Sequence, residues 1–152
     1  QGETHGYHFG GDVYQRIELS ENGLDCRIVP ASDPVGEGTY NAAEFTPALI
    51  KDGEKLEDSF WTGEQPRACF GTGDQGVYML IIEGRYPDEG IRGTSVNTCS
   101  DILLSYGCRN ALNMDGGSSA ILWYDGEYVT QCSSSFLRYT GGRPLPNAWV
   151  YG

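Results

Sequence analysis

Two periodicities run along this chain and predict most of its elements. Val13, Gln15, Ile17 and Leu19 alternate with Tyr14, Arg16 and Glu18, and Leu24, Cys26 and Ile28 resume the period of two after Glu21-Asn22-Gly23. A period of two marks a strand with one buried face, so this segment predicts a hairpin. Pro30 to Tyr40 is rich in Pro, Gly, Asp and Glu without periodicity and reads as an exposed connection. Residues 45–50 predict a strand that turns at Asp52-Gly53 into the start of another. Residues 67–71 and 76–82 predict a pair joined by a turn over Gly71-Thr72-Gly73-Asp74-Gln75-Gly76. Val77-Tyr78-Met79-Leu80-Ile81-Ile82 is apolar at every position, as a central strand covered on both faces would be.

The period changes once. Val96, Cys99, Ile102, Leu103 and Tyr106 fall on one helical face, Thr94 or Ser95 can cap its start, and Gly107 sits where a left-handed residue would end it. The spacing predicts a helix over about 95–106, packed on the sheet. Residues 110–115 predict a buried strand, 120–124 and 128–131 a hairpin around Asp125-Gly126, and 148–151 a final strand. The whole, 1–152, reads as a single α+β domain with a mixed, largely antiparallel sheet and one main helix.

Composition agrees with that outline. Ten Tyr and three Trp against two Met, with 22 Gly and seven Pro in 152 residues, describe a turn-rich sheet protein with aromatic surfaces, which sugars can stack on. Trp61, Trp123, Tyr124 and Trp149 are the candidates, with core packing the simpler fate of Trp123 and Trp149. A net charge of −11 excludes nucleic acid and anionic membrane surfaces, both of which need a basic stripe. No apolar run approaches the roughly 20 residues of a membrane-spanning helix, so membrane insertion is not expected. Five cysteines (Cys26, Cys69, Cys99, Cys108, Cys132) without CxxC spacing read as buried small residues, with room for one or two disulfides in an oxidising compartment. The only histidines, His5 and His8, lie far in sequence from every cysteine, which argues against zinc and against a Cys/His nucleophile.

Chemistry concentrates where apolar runs stop. Glu83 follows Leu80-Ile81-Ile82, and Asp115 follows Leu112-Asn113-Met114. Two carboxylates at strand ends can share a cleft and divide acid and base roles, or each can accept N–H bonds within its own turn. After Asp115, Gly116, Gly117, Ser118 and Ser119 offer unhindered backbone N–H groups and two hydroxyls, a loop suited to an anion or a sugar. Ser118 and Ser119 are better read as ligand hydrogen-bonders than as nucleophiles, because no late histidine exists to act as base. Arg67 and Arg85 stand at strand ends and suit phosphate or carboxylate, with a salt bridge from Arg85 to Asp88 or Glu89 as the plain alternative. Arg143, in Gly141-Gly142-Arg143-Pro144, could fold back over a site. No cofactor is required; a divalent cation such as calcium at Asp115 is the one the pattern leaves open.

The ordered series Thr46-Pro47-Ala48-Leu49-Ile50-Lys51-Asp52-Gly53, Gln65-Pro66-Arg67-Ala68-Cys69-Phe70-Gly71, Ile81-Ile82-Glu83-Gly84-Arg85, Gly93-Thr94-Ser95-Val96, Ala111 to Ser119, and Gly142-Arg143-Pro144-Leu145-Pro146-Asn147-Ala148 resembles the phosphodiester glycosidase family. The match is best over 45–152. The resemblance implies hydrolysis of a sugar-1-phosphodiester on a glycan or cell-envelope substrate, in a secreted or cell-envelope protein of bacterial type. It implies catalytic roles for Asp115 and Glu83, and substrate contacts from Arg67, Arg85, Asn113, Gly116, Gly117, Ser118, Ser119 and Arg143. Two departures shape the expectation. Gly-Gly-Ser stands where many members have three glycines, and residues 1–44 show no Asn-Gly-Gly-x-Phe-like segment, so part of the family's site is expected to lie outside this chain. The alternative is therefore a glycan or phosphopolymer binding module without turnover.

Overall fold

The structure, a computed structural model, describes residues 13–138, 141–145 and 147–150. Strands β1 (Gln15–Leu19), β2 (Cys26–Pro30) and β3 (Asn41–Phe45) form an antiparallel sheet in the order β2-β1-β3. The predicted hairpin is β1–β2. Its turn is closed by Asn22, whose Oδ1 accepts from the N–H of Leu24 (2.8 Å) and Asp25 (3.0 Å), and by Gly23 at φ +70°. Ile17 and Leu19 face the core, while Arg16 and Glu18 on the other face are also buried.

Residues 45–50 make two strands, not one. A cis Thr46–Pro47 bond separates β3 from β4 (Ala48–Lys51), and the two strands enter different sheets. Pro47 has no N–H to continue a ladder, so the chain leaves one sheet there and starts in the next. The second sheet also contains β5 (Glu54–Lys55), β6 (Arg67–Gly73), β7 (Gly76–Ile82) and β8 (Cys108–Asn113), in the order β5-β4-β8-β6-β7 with every pairing antiparallel. The turn between β6 and β7 shrinks to Asp74-Gln75, because Gly71 to Gly73 belong to the ladder.

This sheet is covered on both faces, and its alternation sorts the core. Cys69, Ala111 and Ile50 pack with Val96, Cys99 and Leu103 of α1 (Val96–Ser105); Phe70, Leu112 and Ala48 pack with Ile17, Leu19 and Ile28 of the smaller sheet. A register shift between Ala48 and Ile50 places Leu49 and Ile50 together on the helix side. The fully apolar run in β7 has the same cause: Tyr78, Leu80 and Ile82 meet the helix cluster, Val77 and Met79 the other. β7 is nevertheless the edge strand and not a central one, since an apolar run reports cover on two faces and not position in the sheet.

Ser95 caps α1, its hydroxyl accepting from the N–H of Thr98 at 3.1 Å, and Gly107 at φ +85° ends it. Val96, Cys99, Ser100 and Leu103 form the buried stripe; Tyr106, expected there, is the C-cap and is exposed. All five cysteines are free thiols, and burial pushes Cys108 up to about 12. The hairpin around Asp125-Gly126 has shorter strands than expected, β9 (Trp123–Tyr124) and β10 (Glu127–Tyr128). The expected strand at 148–151 is absent over 148–150, where Trp149 stacks on Phe70 with centroids 3.8 Å apart; Tyr151 lies outside the described residues, as do His5 and His8. Among the described residues no helix is long and apolar enough to cross a membrane.

One consequence of the strand order sets up the site. β7 and β8 are both antiparallel to β6, so they run in the same direction and finish at the edge where β6 and β4 begin. Glu83, Asp115, Arg67 and Pro47 are thus delivered to one end of the sheet.

Candidate active site

At that end the residues after β8 turn sharply under the start of β6. The Gly117 N–H donates to the Pro66 carbonyl at 3.0 Å, and a Cβ on Gly116 would come within 2.5 Å of the same oxygen. Gly117 has φ +59°, and a Cβ there would lie 3.1 Å from both terminal nitrogens of Arg85. The two glycines therefore do separate jobs: one lets two backbones touch, the other lets a guanidinium lie against the loop. A short 3-10 turn, Gly117–Ser119, follows and buries Ser119.

Asp115, Ser119 and Arg143 form a closed triangle. Ser119 Oγ donates to Asp115 Oδ2 at 2.8 Å, Arg143 Nε donates to Ser119 Oγ at 2.9 Å, and Arg143 Nη2 reaches Asp115 Oδ2 at 2.5 Å. The Asp115 and Arg143 side chains remain 52% and 46% exposed, and Asp115 Oδ1 accepts no hydrogen bond among the described residues. The loop 141–145 thus does fold back, and it brings Arg143 to Asp115.

Glu83 is half-buried, and its Oε1 accepts the N–H of Gln131 at 2.5 Å. The partner of Glu83 is 48 residues away, whereas Asp115 is bonded by Ser119 of its own turn and by Arg143, 28 residues away. Arg85, exposed and at φ +69°, donates Nε to Gln65 Oε1 at 3.0 Å. The alternative ion pair with Asp88 or Glu89 is not formed. Glu89 is held by Arg138, whose Nη1 and Nη2 donate to its two oxygens, and Arg85 has no ion pair among the described residues.

Two predicted contacts take other partners. Arg67 is 5% exposed and donates to three backbone carbonyls: Thr94 (3.0 Å), Trp61 (3.2 Å) and Gly63 (2.8 Å). It pins the 61–63 loop and the approach to α1 against β6, and burial pushes its guanidinium below the usual range. Asn113, also buried, donates its amide to Thr46 O at 2.7 Å, while its Oδ1 has no partner among the described residues. Sequence reading missed Gln65, Gln131 and Cys132, whose Sγ donates to Ser118 O at 3.6 Å. Gln131 and Cys132 act through backbone or thiol groups that no residue type announces. Gln65 lies directly before Pro66-Arg67, within the Gln65 to Gly71 motif. Among the described residues no group of three or more His, Cys, Asp or Glu is arranged to hold a metal.

The family model described as phosphodiester glycosidase matches residues 3–151. The chain belongs to the phosphodiester glycosidase family. Its match begins well before residue 45, where the motif series starts. A solved structure that this chain resembles is the catalytic domain of zebrafish N-acetylglucosamine-1-phosphodiester α-N-acetylglucosaminidase, auto-inhibited by its pro-peptide. That structure superposes with a TM-score of 0.63 at 15% identity, over 91% of this chain and 52% of its own, and shows the shared fold. A SPbeta prophage-derived uncharacterized protein, YomE, of Bacillus subtilis (strain 168) is 27% identical over 120 residues, 74% of this chain. The chain spans 18% of that relative's length and about half of the zebrafish chain.

Proposed function

We propose that this chain hydrolyses a sugar-1-phosphodiester on a glycan or cell-envelope polymer outside the cytoplasm, as the zebrafish relative's name describes for an N-acetylglucosamine phosphodiester. The observation that carries the reading is a half-exposed carboxylate, Asp115, with an oxygen that has no partner among the described residues, in the same turn that Arg85, an arginine with no acidic partner among the described residues, lies against. Water adds to the anomeric carbon, the bond from that carbon to the phosphate oxygen breaks, and the phosphomonoester departs with the proton. Asp115 and Glu83 supply the acid and base groups. Arg85 and Arg143 neutralise the phosphodiester, and the Gly116 to Ser119 turn supports its oxygens. Arg67 is left out of the phosphate contact because its bonds go to backbone carbonyls.

The test is turnover of an aryl ester of N-acetylglucosamine-1-phosphate by the wild type and by Asp115→Asn. Release of free sugar by the wild type and its loss in the variant support the reading; release unchanged in the variant removes Asp115 from the chemistry. Repeating the assay with EDTA and with added calcium reads any cation requirement at Asp115.

The second reading, a module that binds the same ligand without cleaving it, is favoured by the engagement of both acids with protein groups, Asp115 by Arg143 and Glu83 by Gln131. Saturable binding of the phosphodiester with no product over days of incubation would select it.

A further inference from the structure

The β9–β10 hairpin carries aromatic surface that the proposed chemistry does not use. Trp123 and Tyr128 are directly opposite in register, so both rings project from one face; Tyr124 and Glu127, the next pair, project from the other. Trp123 is 60% and Tyr128 57% exposed, and neither ring stacks on another among the described residues, unlike Trp149 on Phe70. Tyr128 is also one wall of a cavity of about 170 Å³, completed by Thr130, Gln131, Arg138 and Gly141. Gly141 is required there: φ is +75°, and a Cβ would come within 2.3 Å of the Tyr128 ring.

The lining offers hydrogen bonds without net charge. Arg138 is neutralised by both oxygens of Glu89, lies 3.9 Å over the Tyr86 ring, and donates Nε to the side chain of Gln131. The backbone N–H of Gln131, one of the lining residues, donates to Glu83, so the cavity wall is directly bonded to that carboxylate. An aromatic wall beside hydroxyl and amide groups, with its one cation already paired, matches the apolar face and hydroxyl rim of a neutral sugar. An anionic polymer would meet a chain of net charge −11 with no free cation among the described residues of this lining.

We propose that Trp123, Tyr128 and the adjoining cavity bind a neutral oligosaccharide, the glycan part of the substrate lying beyond Glu83. Only that placement along the substrate rests on the phosphodiester glycosidase reading; the binding itself does not. The experiment is calorimetric titration of the chain with chitotetraose, cellotetraose and maltotetraose, and with an oligogalacturonide as the anionic probe. Wild type binds at least one neutral probe saturably. Trp123→Ala and Tyr128→Ala each weaken it about tenfold or more, as loss of a stacked ring does, and Tyr124→Ala, on the opposite face, leaves it unchanged. No saturable binding of any neutral probe, preference for the oligogalacturonide, or equal weakening by Tyr124→Ala each overturns the proposal. Far-ultraviolet dichroism of each variant guards against misfolding. Turnover of the small aryl phosphodiester, retained in Trp123→Ala, separates failure of this site from failure of the hydrolase reading: the first loses glycan binding alone, the second loses turnover in the wild type.

Discussion

Glu18 and Asp115 are both carboxylates bonded to arginine, and the surroundings give them opposite uses. Glu18 is enclosed. Arg16 reaches its Oε1 at 2.7 Å, Arg27 and Thr39 bond its Oε2, and the Gly36 N–H points at both oxygens. Arg16 goes on to the carbonyls of Ala31 and Asp33, and the Arg16 and Glu18 side chains are 4% and 1% exposed. Among the described residues Asp115 has two partners, both on one oxygen, and half of its side chain is in water. A carboxylate with every lone pair used and no solvent holds a fold together. One with a spare oxygen and an exposed arginine can exchange protein partners for a ligand at small cost.

The larger stability change belongs to the enclosed carboxylate. Glu18→Gln keeps the volume, removes the charge and leaves the buried Arg16 cation without its main partner. It should destabilise the fold by about 3–5 kcal/mol, read as a lowered urea midpoint at unchanged slope. Asp115→Asn is the converse: sugar release should fall by about 100-fold or more, the range for loss of a positioned acid or base, while stability moves by less than about 1 kcal/mol, as for an exposed pair. If Asp115→Asn unfolds the protein and Glu18→Gln does not, the assignment is reversed.

The amino-acid sequence carries only half of this contrast. The β1–β2 hairpin and α1 could be read because their signals are local: Asn22-Gly23 at the turn, Ser95 and Gly107 at the helix ends. The strand-end acids could be located for the same reason, since Ile82-Glu83 and Met114-Asp115 are abrupt changes of polarity. What covers Arg16 and Glu18 could not. Alternation separates two faces but does not say that the 31–40 connection, mostly exposed itself, lends carbonyls, an N–H and the Thr39 hydroxyl to a buried network. Arg67 escaped in the same way, because its partners are backbone carbonyls from Trp61, Gly63 and Thr94, and backbone groups carry no residue-type signature.

Acid acts on the enclosed carboxylate through its lowered pKa. Burial pushes Glu18 up from its ordinary value of 4.5, but hydrogen bonds from Arg16, Arg27 and Thr39 outweigh that and hold it below. A carboxyl lowered in the folded state binds a proton on unfolding, so its contribution is complete above the ordinary value and is lost as pH falls through the lowered one. Unfolding free energy measured between neutral pH and pH 3 should therefore drop in wild type and drop less in Glu18→Gln. Equal slopes in the two proteins would show that Glu18 is not the group responsible.

The smallest stability effect belongs to Arg143. Its pair with Asp115 is about half exposed on both sides, so Arg143→Met should shift stability by no more than about 1 kcal/mol. If the guanidinium binds the phosphodiester, the same variant should raise KM for the aryl substrate by more than it lowers kcat, and added salt should weaken wild-type binding more than that of the variant. Fluorescence-monitored unfolding beside steady-state kinetics reads both quantities. A stability loss matching that of Glu18→Gln would place Arg143 in the fold's framework. A pure fall in kcat would show that it orients Asp115 through Ser119 instead of holding phosphate.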